Sequence, residues 1–568
     1  MAEVEPLTAD EAELKAAIEA VLSSPSRKKL VIAGPGTGKT TLFKQMIELA
    51  SGEPDRRIVL TFINNLKDDL EDDLAGLAQV FTLHSFCLGL LHRDAALRGS
   101  LSPDFRCCPG LASLIAQDWK LIEGSEAPQF VGDMRGLAVE NHTPFYLARG
   151  DYYDAVDFDD TVYRAYEGLA SGRTAPGNYD LVLIDEYQDF NSMEAGFIDV
   201  LGESNPIMIA GDDDQALYSQ LRDASWDHIR LLSRAGEYEV FELPFCMRCP
   251  KVVVDAVSDV LTKARELHRL EGRIAKPYKH FPPVKGADSA KYPKIANVKT
   301  SVQSKSANYM GRYIAQEIAE IPQDEAEAAA RGGYPAALVI VAKPYRDQII
   351  SHLESVGYVV DIRRESGSDL DRETGLSILK EDRRSNLGWR ITLGADTPSF
   401  LRDAIVETED GTKRLVDAIP SEYRESVLAE VDAYAPPEVP EGDGETPAAV
   451  EVPPVRVTSF EGAKGLSAQH VFIAGLHDGE LPHDPAGIKD LEICKFVVGL
   501  TRTRKKCTLI HTGRFAGDWK SPSSFISWID DARLDFIKID KAYWKRRLED
   551  QEEEMGSELG TEKGSRNQ

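Results

Sequence analysis

The stretch "KKLVIAGPGTGKTTLFKQ" (residues 28–45) decides the fold. Its first six residues predict a short buried strand, and the apolar spacing after Lys39 predicts a helix. The glycines between them permit a tight turn whose backbone N–H groups point at one spot, next to the positive end of the helix dipole. The pattern predicts a phosphate-binding loop that consists of Ala33, Gly34, Pro35, Gly36, Thr37, Gly38, Lys39, Thr40 and Thr41.

The same alternation of apolar runs and helical spacing continues along the chain. "RRIVLTF" (56–62), "YDLVLIDEYQD" (179–189) and "NPIMIAGDDDQ" (205–215) read as strands, and the last two end in acidic residues. The alternation returns from residue 335 onward in "PAALVIVAK", "VRVTSF" and "HVFIAGL". Strands that alternate with helices form parallel sheets with ligands at their carboxyl ends, so we predict an α/β protein with two such sheets.

Two carboxylates follow the strand at residues 181–184. In this position Asp185 suits a Mg²⁺ ion that Thr40 also binds, and Glu186 suits a general base that activates the attacking water. Lys39 would reach the terminal phosphates of the nucleotide. The expected cofactors are therefore ATP and Mg²⁺.

Composition limits the function classes. The chain has 568 residues, 42% of them hydrophobic and 28% charged, which is a globular balance. Its formal net charge of −28 argues against a general nucleic-acid coat but permits an enzyme with a local basic channel. We expect no membrane association and a cytoplasmic location, because no apolar run approaches the roughly 20 residues of a membrane helix and seven sparse cysteines suit reduced thiols.

The shifts in pattern divide the chain into five parts, which are a first α/β domain (1–88 and 156–240), a first helical insertion (89–155), a second α/β domain (241–361 and 452–530), a second insertion with a Pro/Glu-rich linker (362–451), and a C-terminal helix with an acidic tail (531–568). Residues 251–310 contain twelve Lys or Arg and five Asp or Glu. This stretch is a candidate wall of a nucleic-acid channel, with Lys276, Lys279 and Lys285 as its contacts.

The ordered set "AGPGTGKTT", "TFINN", "TLHSF", "DFDDTVYRAY", "LIDEYQDF", "GDDDQALY", "FCMRCP", "VTSFEGAKGL" and "VVGLTRTRKK" resembles the UvrD/Rep-like superfamily 1 DNA helicases. The resemblance extends from about residue 31 to 510. It implies two RecA-like P-loop motor domains with ATP between them, single-stranded nucleic acid across the top, and two mostly helical accessory insertions, which look short in this chain.

The resemblance also implies roles for individual residues. Gln215 would sense the γ-phosphate, Arg502 would be an arginine finger from the second motor domain, and Arg248 would be another phosphate-contacting arginine. Gly465 would lie at the nucleotide. The residues at positions that the family uses for nucleic acid are Phe62, His84, Tyr218 and Arg222.

Several positions depart from the family pattern. Glu11 stands where the family has the Gln that reads the base, Met247 where it has a Tyr that stacks on adenine, and Ser467 where it has a Glu that contacts the ribose. We therefore hypothesise relaxed selectivity for the nucleotide base, unless Met247 still packs on the base. In the nucleic-acid track, Glu461 stands where the family often has His.

The Cys-x-x-Cys in "LPFCMRCP" (243–250) raises the question of a metal site. No His or further Cys pair lies near Cys246 and Cys249 in sequence to complete a zinc set. We expect the arginine between them, Arg248, to be the functional residue.

Two functions remain open from the sequence. The first is an ATP-dependent DNA helicase that moves on single-stranded DNA, 3′ to 5′ by resemblance, and unwinds duplex, for example in DNA repair. The second is a DNA-sensing ATPase subunit that regulates a partner such as a nuclease, for example in phage defence, with little unwinding. The expected partners are single-stranded and partially duplex DNA, and a nuclease or repair factor.

Overall fold

The computed structural model describes residues 7–62, 67, 70–71, 74–138, 142–300, 309–362, 370–435 and 455–547. The Pro/Glu-rich linker after residue 435 and the acidic tail after residue 547 lie outside these described residues. Within the described ranges, no helix has the length and apolar character needed to cross a membrane.

The strands are, in chain order, β1 Lys28–Ala33, β2 Arg57–Thr61, β3 Gln79–Thr82, β4 Arg106–Cys107, β5 Ala155–Val156, β6 Leu181–Ile184, β7 Ile207–Gly211, β8 Glu239–Leu243, β9 Phe245–Cys246, β10 Lys279–His280, β11 Ile295–Thr300, β12 Ala337–Val341, β13 Val360–Asp361, β14 Val455–Thr458, β15 Ala468–Ala474, β16 Thr503–Thr512, β17 Arg514–Phe515, β18 Asp518–Trp519 and β19 Leu534–Ile539.

The helices are Ala9–Ser23, Lys39–Leu49, Leu83–Arg93, Ala95–Arg98, Leu111–Glu123, Phe130–Arg135, Thr143–Tyr153, Phe158–Ala170, Ser192–Ser204, Ser219–Arg222, Asp227–Ala235, Lys251–Glu266, Pro282–Lys291, Tyr309–Ala319, Gln323–Arg331, Lys343–Ser355, Arg372–Glu381, Asn386–Asp396, Leu401–Glu407, Leu415–Ala418, Ser421–Ala433 and Asp490–Thr501.

The first α/β unit contains a six-stranded parallel sheet in the order β3-β2-β6-β7-β1-β8. All residues of β6 and β7 are buried, as expected for central strands that helices cover on both faces. The order brings the carboxyl ends of β6, β7 and β1 together at one edge. The acidic strand ends and the Gly-rich loop that the sequence singled out therefore meet there.

The second α/β unit contains a seven-stranded parallel sheet in the order β13-β14-β12-β15-β16-β11-β19. The two parallel sheets and their flanking helices confirm the predicted α/β class. One predicted boundary is wrong, however. Strand β19 pairs with β11 along its whole length, so this unit continues to Ile539 and does not end at 530. Only its end residues Leu534 and Ile539 are buried, so this edge strand gives no apolar run and no regular alternation that marks it in the sequence.

The two helical segments that follow β3 and β13 pack against each other. Asp118, on the helix Leu111–Glu123, is fully buried and bridges two arginines. Its carboxylate accepts hydrogen bonds from Arg149 Nη2 at 2.7 Å and from Arg390 Nε at 2.6 Å. Because Arg390 lies in the second segment, this buried charge network joins the two insertions directly.

We expect the substitution Asp118→Asn to lower the free energy of unfolding by about 3–5 kcal/mol, because it leaves two buried guanidinium groups without their counter-charge. Urea denaturation followed by circular dichroism measures the change. Asp432→Asn is the matched control, since it breaks an ion pair with Arg383 whose two side chains are more than half exposed. This control should cost no more than about 1 kcal/mol. Equal effects of the two substitutions would contradict a role for the buried network.

Candidate functional site: a cleft between two parallel sheets

The Gly-rich loop connects β1 to the helix Lys39–Leu49. Gly36 and Gly38 have φ angles of 72° and 91°, which L-residues with a side chain rarely adopt. A Cβ atom on Gly36 would lie 2.4 Å from Cβ of Arg248, so glycine is also required for close packing. The N–H of Met247 donates to Gly36 O at 2.8 Å. The loop thus fits between its own helix and the segment that follows β8.

The remaining loop residues differ in burial and in their hydrogen bonds. Ala33 ends β1 and is buried, and the Thr37 hydroxyl donates to Gly34 O at 2.9 Å. Pro35 O accepts a hydrogen bond from the hydroxyl of Tyr278 at 3.0 Å. Thr41, by contrast, is exposed in the first turn of the helix.

Lys39, Asp185 and Glu186 meet at the carboxyl edge of the first sheet. Lys39 Nζ lies 2.7 Å from Glu186 Oε1 and 3.8 Å from Asp185 Oδ1. Burial alone would raise the pKa of Glu186, but Lys39 and Lys464 hold it below its usual range. Burial raises the pKa of Asp185 to about 6. The buried pair therefore shares the positive charge of Lys39, and Glu186 remains ionised.

The backbone of Glu186 has a φ of 52°, in the left-handed region that is uncommon for residues with a side chain. Gln188 holds the carboxylate in place by donating from Nε2 to Glu186 Oε2 at 2.6 Å. Oε1 of the same Gln188 side chain accepts a hydrogen bond from the N–H of Asp212 at 2.9 Å. This bond connects the end of β6 to the adjacent β7. Strain and two-sided hydrogen bonding of this kind are typical of catalytic groups.

The residues predicted to bind metal fit a hard cation. Asp185 offers a buried carboxylate, and Thr40 offers a hydroxyl one residue after Lys39, which is the oxygen chemistry that Mg²⁺ prefers. A second acidic group, Asp212 to Asp214, has three carboxylates close together. These are neutralised by Lys276, Arg273 and Arg230 at 2.5 to 2.9 Å, so they form a charge network.

Gln215 lies on the boundary between the two units. Its Nε2 donates to Asp212 Oδ2 at 3.0 Å, and its Oε1 accepts from Arg502 Nη2 at 3.2 Å. Lys464 of the second unit is buried, pairs with Asp189 at 2.5 Å and also bonds to Gln215 O. These contacts connect the second unit to the strand ends that carry the acidic residues. Lys464 was missed in the sequence, although it directly precedes Gly465, whose φ is 80°.

Cys246 and Cys249 are buried, free thiols. Cys246 Sγ accepts from the N–H of Cys249 at 3.4 Å, and Cys249 Sγ lies 3.5 Å from Thr501 O. Among the residues that the structure describes, no metal-ligating group completes a zinc set with them. They pack behind the Gly-rich loop, and Nη1 of Arg248 lies 3.4 Å from Thr501 O.

Three residues that depart from the family pattern, Glu11, Met247 and Ser467, contact neighbouring groups of the protein. Glu11 forms a capping box with Thr8 at the start of the first helix. The Met247 side chain lies against the Gly-rich loop, since its Cε would be 2.5 Å from a Cβ on Gly38. Ser467 is buried and accepts from Arg504 Nε at 2.9 Å.

The four residues predicted to contact nucleic acid form one cluster, which we call the aromatic–arginine cluster (Phe62, His84, Tyr218 and Arg222). The rings of Phe62 and Tyr218 are 5.3 Å apart. The guanidinium carbon of Arg222 lies 4.5 Å from the Phe62 ring centroid, and its Nη2 lies 2.9 Å from His84 Nε2. Four positions spread over 160 residues of sequence thus meet beyond the carboxyl ends of β2 and β3.

Burial, together with the adjacent Arg222, lowers the pKa of His84 to about 3. The imidazole is therefore neutral at physiological pH and cannot act as a phosphate-binding cation. Glu194 lies beneath the cluster, 3.5 Å from Arg222 Nη2, and burial raises its pKa to about 7.

The exposed aromatic residues Phe158, Trp519 and Phe536 were not predicted as sites from the sequence. Phe158 is 47% exposed and lies edge-on to His84, with ring centroids 5.9 Å apart. It belongs to the quoted "DFDDTVYRAY", but an aromatic residue at the start of a helix gives no signal of its own. Trp519 is 83% exposed on the β17–β18 hairpin.

The predicted channel wall in residues 251–310 is wrong for two of its three lysines. Lys276 is buried and pairs with Asp212 at 2.5 Å. The Lys285 ammonium is also largely buried and bonds to Asp288 at 2.7 Å. Lys279 pairs with Glu13 at 2.7 Å, although it remains half exposed. Lys276 and Lys279 thus pair with acidic residues outside this stretch, and Lys285 pairs within it.

Glu461 does not present a free negative charge near the aromatic–arginine cluster. Its carboxylate pairs with Lys495 at 2.6 Å, which lowers its pKa against the opposing effect of burial. Its backbone oxygen accepts from the Tyr218 hydroxyl at 3.2 Å. The acidic residue is therefore compensated within the second unit.

Comparisons with known proteins support the resemblance that the motif order predicts. A family model described as an AAA domain matches residues 15–220. DNA helicase II of Escherichia coli (strain K12) is 26% identical over 237 residues, which cover 35% of this chain and 33% of that protein. DNA helicase II of Salmonella typhimurium is 25% identical over 237 residues, with the same coverage.

ATP-dependent DNA helicase UvrD1 of Mycobacterium leprae is 24% identical over 246 residues, or 34% of this chain and 32% of that protein. The matched region thus spans about a third of the length of these curated relatives. The AAA-domain match covers the Gly-rich loop, the acidic strand ends and three members of the aromatic–arginine cluster, and it ends two residues before Arg222. Over the matched region, these similarities confirm the predicted resemblance to the UvrD/Rep-like superfamily 1 helicases.

Proposed function

We propose that the protein is a DNA-dependent ATPase that moves along single-stranded DNA and unwinds duplex ahead of it. One observation carries the proposal. The Gly-rich loop, Glu186 and Gln215 of the first unit lie beside Arg248 and Arg502 of the second at one boundary between the units, which we call the cleft. Such a cleft suits a nucleoside triphosphate, whose negative charge both sides can hold.

The roles of the residues follow from this placement. The amides of the Gly-rich loop and Lys39 bind the phosphates, and Glu186 orients and deprotonates the attacking water. Gln215 and Arg502 already share a hydrogen bond, so a γ-phosphate between them would contact both units. Mg²⁺, when held by Thr40 and Asp185, would supply charge neutralisation at the phosphate oxygens.

Movement on DNA would come from coupling at the same sheet edge. The aromatic–arginine cluster follows β2 and β3, and the hydrolysis site follows β6, β7 and β1, its neighbours in the first sheet. Tyr218 is three residues from Gln215 and bonds to the second unit through Glu461 O. Closing and opening of the cleft would therefore shift the base-stacking surface, which is a sequence-tolerant way to hold a single strand.

The alternative is a DNA-sensing ATPase that regulates a partner such as a nuclease. Strand separation by the isolated chain distinguishes the two, and we expect displacement of a labelled strand from a duplex with a 3′ single-stranded tail. DNA-stimulated hydrolysis without strand displacement would favour the sensing function. Hydrolysis that is indifferent to DNA would contradict both.

We expect Glu186→Gln to lower kcat for ATP hydrolysis by about 10²–10⁴-fold, because it removes the general base. Nucleotide affinity should persist, since Lys39 and the loop amides remain. Phosphate release with and without single-stranded DNA measures the first effect, and binding of a fluorescent ATP analogue measures the second. Glu203→Gln, an exposed change on the helix Ser192–Ser204, is the control. Full activity in Glu186→Gln would exclude the base role.

Phe158→Ala should weaken single-stranded DNA binding by about 5- to 100-fold, because loss of one stacking ring costs roughly 1–3 kcal/mol. Fluorescence anisotropy with a labelled oligonucleotide measures the dissociation constant. The control is Phe536→Ala, which removes another exposed ring on the edge strand β19. A loss of equal size in both variants would argue against a specific contact.

The low pKa of His84 predicts how DNA binding depends on pH. Since the imidazole is neutral above about pH 4, raising the pH from 5.5 to 7.5 should cause no loss of affinity that depends on His84. Wild type and His84→Gln should therefore show the same pH slope in the anisotropy assay. A steeper fall in wild type would mean that a charged histidine binds phosphate.

A further inference from the structure

The second unit presents three arginines to the cleft, one more than the proposed hydrolysis uses. Arg502 Nη1 donates to Leu466 O at 3.2 Å, and Arg504 Nε donates to the hydroxyl of the next residue, Ser467, at 2.9 Å. Arg248 approaches the same region from the other side, where its Nη1 lies 3.4 Å from Thr501 O. Arg504 has no role in the mechanism above.

Arg504 is also held flat. Its guanidinium carbon lies 3.8 Å from the ring centroid of Tyr334, a stacked arrangement that fixes the plane of the group. Stacking and the bond to Ser467 leave the remaining N–H donors of the guanidinium group oriented but only partly used.

These arginines differ from the buried lysines of the same region in their partners. Each buried lysine has a carboxylate, as in the pairs Lys39–Glu186, Lys464–Asp189 and Lys276–Asp212. Across the part of the chain that the structure describes, Arg248, Arg502 and Arg504 have hydrogen bonds only to neutral groups and no carboxylate at ion-pair distance.

The three positive charges act on one another. Burial, and then Arg248, lower the pKa of Arg502 to about 10, and the same two causes lower the pKa of Arg504. The protein has a net charge of −28, but these three positive charges have no carboxylate beside them. Like charges held together in a partly buried cleft are unfavourable without a counter-ion. The geometry therefore calls for a polyanion at this surface.

We infer that Arg504 is a nucleotide-binding residue, and that the cleft holds a nucleoside triphosphate mainly through its phosphates and only weakly through its base. The inference rests on the proposed function and extends it to substrate class. The phosphates are common to all nucleoside triphosphates. A third arginine thus supplies affinity that does not depend on the base, while Met247 and Ser467 offer no aromatic ring or carboxylate to read the base or the sugar.

The test is equilibrium binding of the β,γ-imido analogues of ATP, GTP and CTP, with Mg²⁺, to the full chain. Arg504→Gln should weaken all three by about the same factor, roughly tenfold or more, since a charge-assisted hydrogen bond contributes about 1.5–3 kcal/mol. In steady-state hydrolysis KM should rise while kcat changes little. Arg504→Lys keeps the charge and should recover part of the affinity.

Arg312→Gln is the matched control. The guanidinium carbon of Arg312 lies 4.0 Å from the Trp544 ring centroid, outside the cleft, so this substitution removes a similar stacked arginine. It should leave the affinity for all three analogues unchanged.

Three results would overturn the inference. They are a lowered Tm of Arg504→Gln with unchanged nucleotide affinity, a loss of affinity confined to one base, and a loss of single-stranded DNA binding with nucleotide binding intact. Failure of the proposed function looks different. A wild-type chain that binds the analogues through Arg504 but does not hydrolyse ATP would refute the proposed function alone, and one that binds no analogue would refute both.

Discussion

The site depends on a property of parallel sheets: the carboxyl ends of all strands lie at the same edge. Strands β6, β7 and β1 are neighbours, although they are far apart in sequence, so their last residues must meet at one edge. There the Lys39 ammonium lies between the carboxylates of Asp185 and Glu186. Two carboxylates alone would be costly to bury together, but Lys39 compensates part of their charge and the raised pKa of Asp185 lowers the remainder.

The same constraint explains the character of the cleft. On the first unit, the charged residues are paired in advance: lysine with carboxylate, and the Asp212–Asp214 group with three cations. On the second unit the facing arginines are not paired. In the proposed function, the phosphates of a nucleotide would contact one surface whose charges are already paired and another whose arginines have no counter-charge. Closure of the cleft would then depend on the ligand, since an anion would relieve the repulsion among the arginines.

Much of this site could be predicted from the sequence because its signals are local. A strand, a Gly-rich turn and a helix give the phosphate loop, and an acidic pair after an apolar run gives Asp185 and Glu186. The ordered motifs placed the four residues of the aromatic–arginine cluster, whose convergence no single window of sequence reveals. What failed depends on long-range pairing. The charge of Lys276 looked available until its three aspartate partners, about 60 residues away, were seen. Similarly, Arg504 reads as part of a basic run, and its neighbours Ser467 and Tyr334 are known only from the fold.

The packing of the two insertions adds a condition on any motion of the cleft. The first insertion follows β3 of one unit and the second follows β13 of the other, yet Arg390 of the second donates to Asp118 of the first, and Arg149 of the first donates to Thr408 O of the second. The units are thus connected at the cleft and again at the insertions. Separating the insertions would expose a buried carboxylate and two arginines to solvent or leave them without partners, at a cost of several kcal/mol. A nucleotide in the cleft would be accommodated more easily if the paired insertions moved as one body while the sheets rotated relative to them. The chain segments that connect each insertion to its sheet would then have to bend.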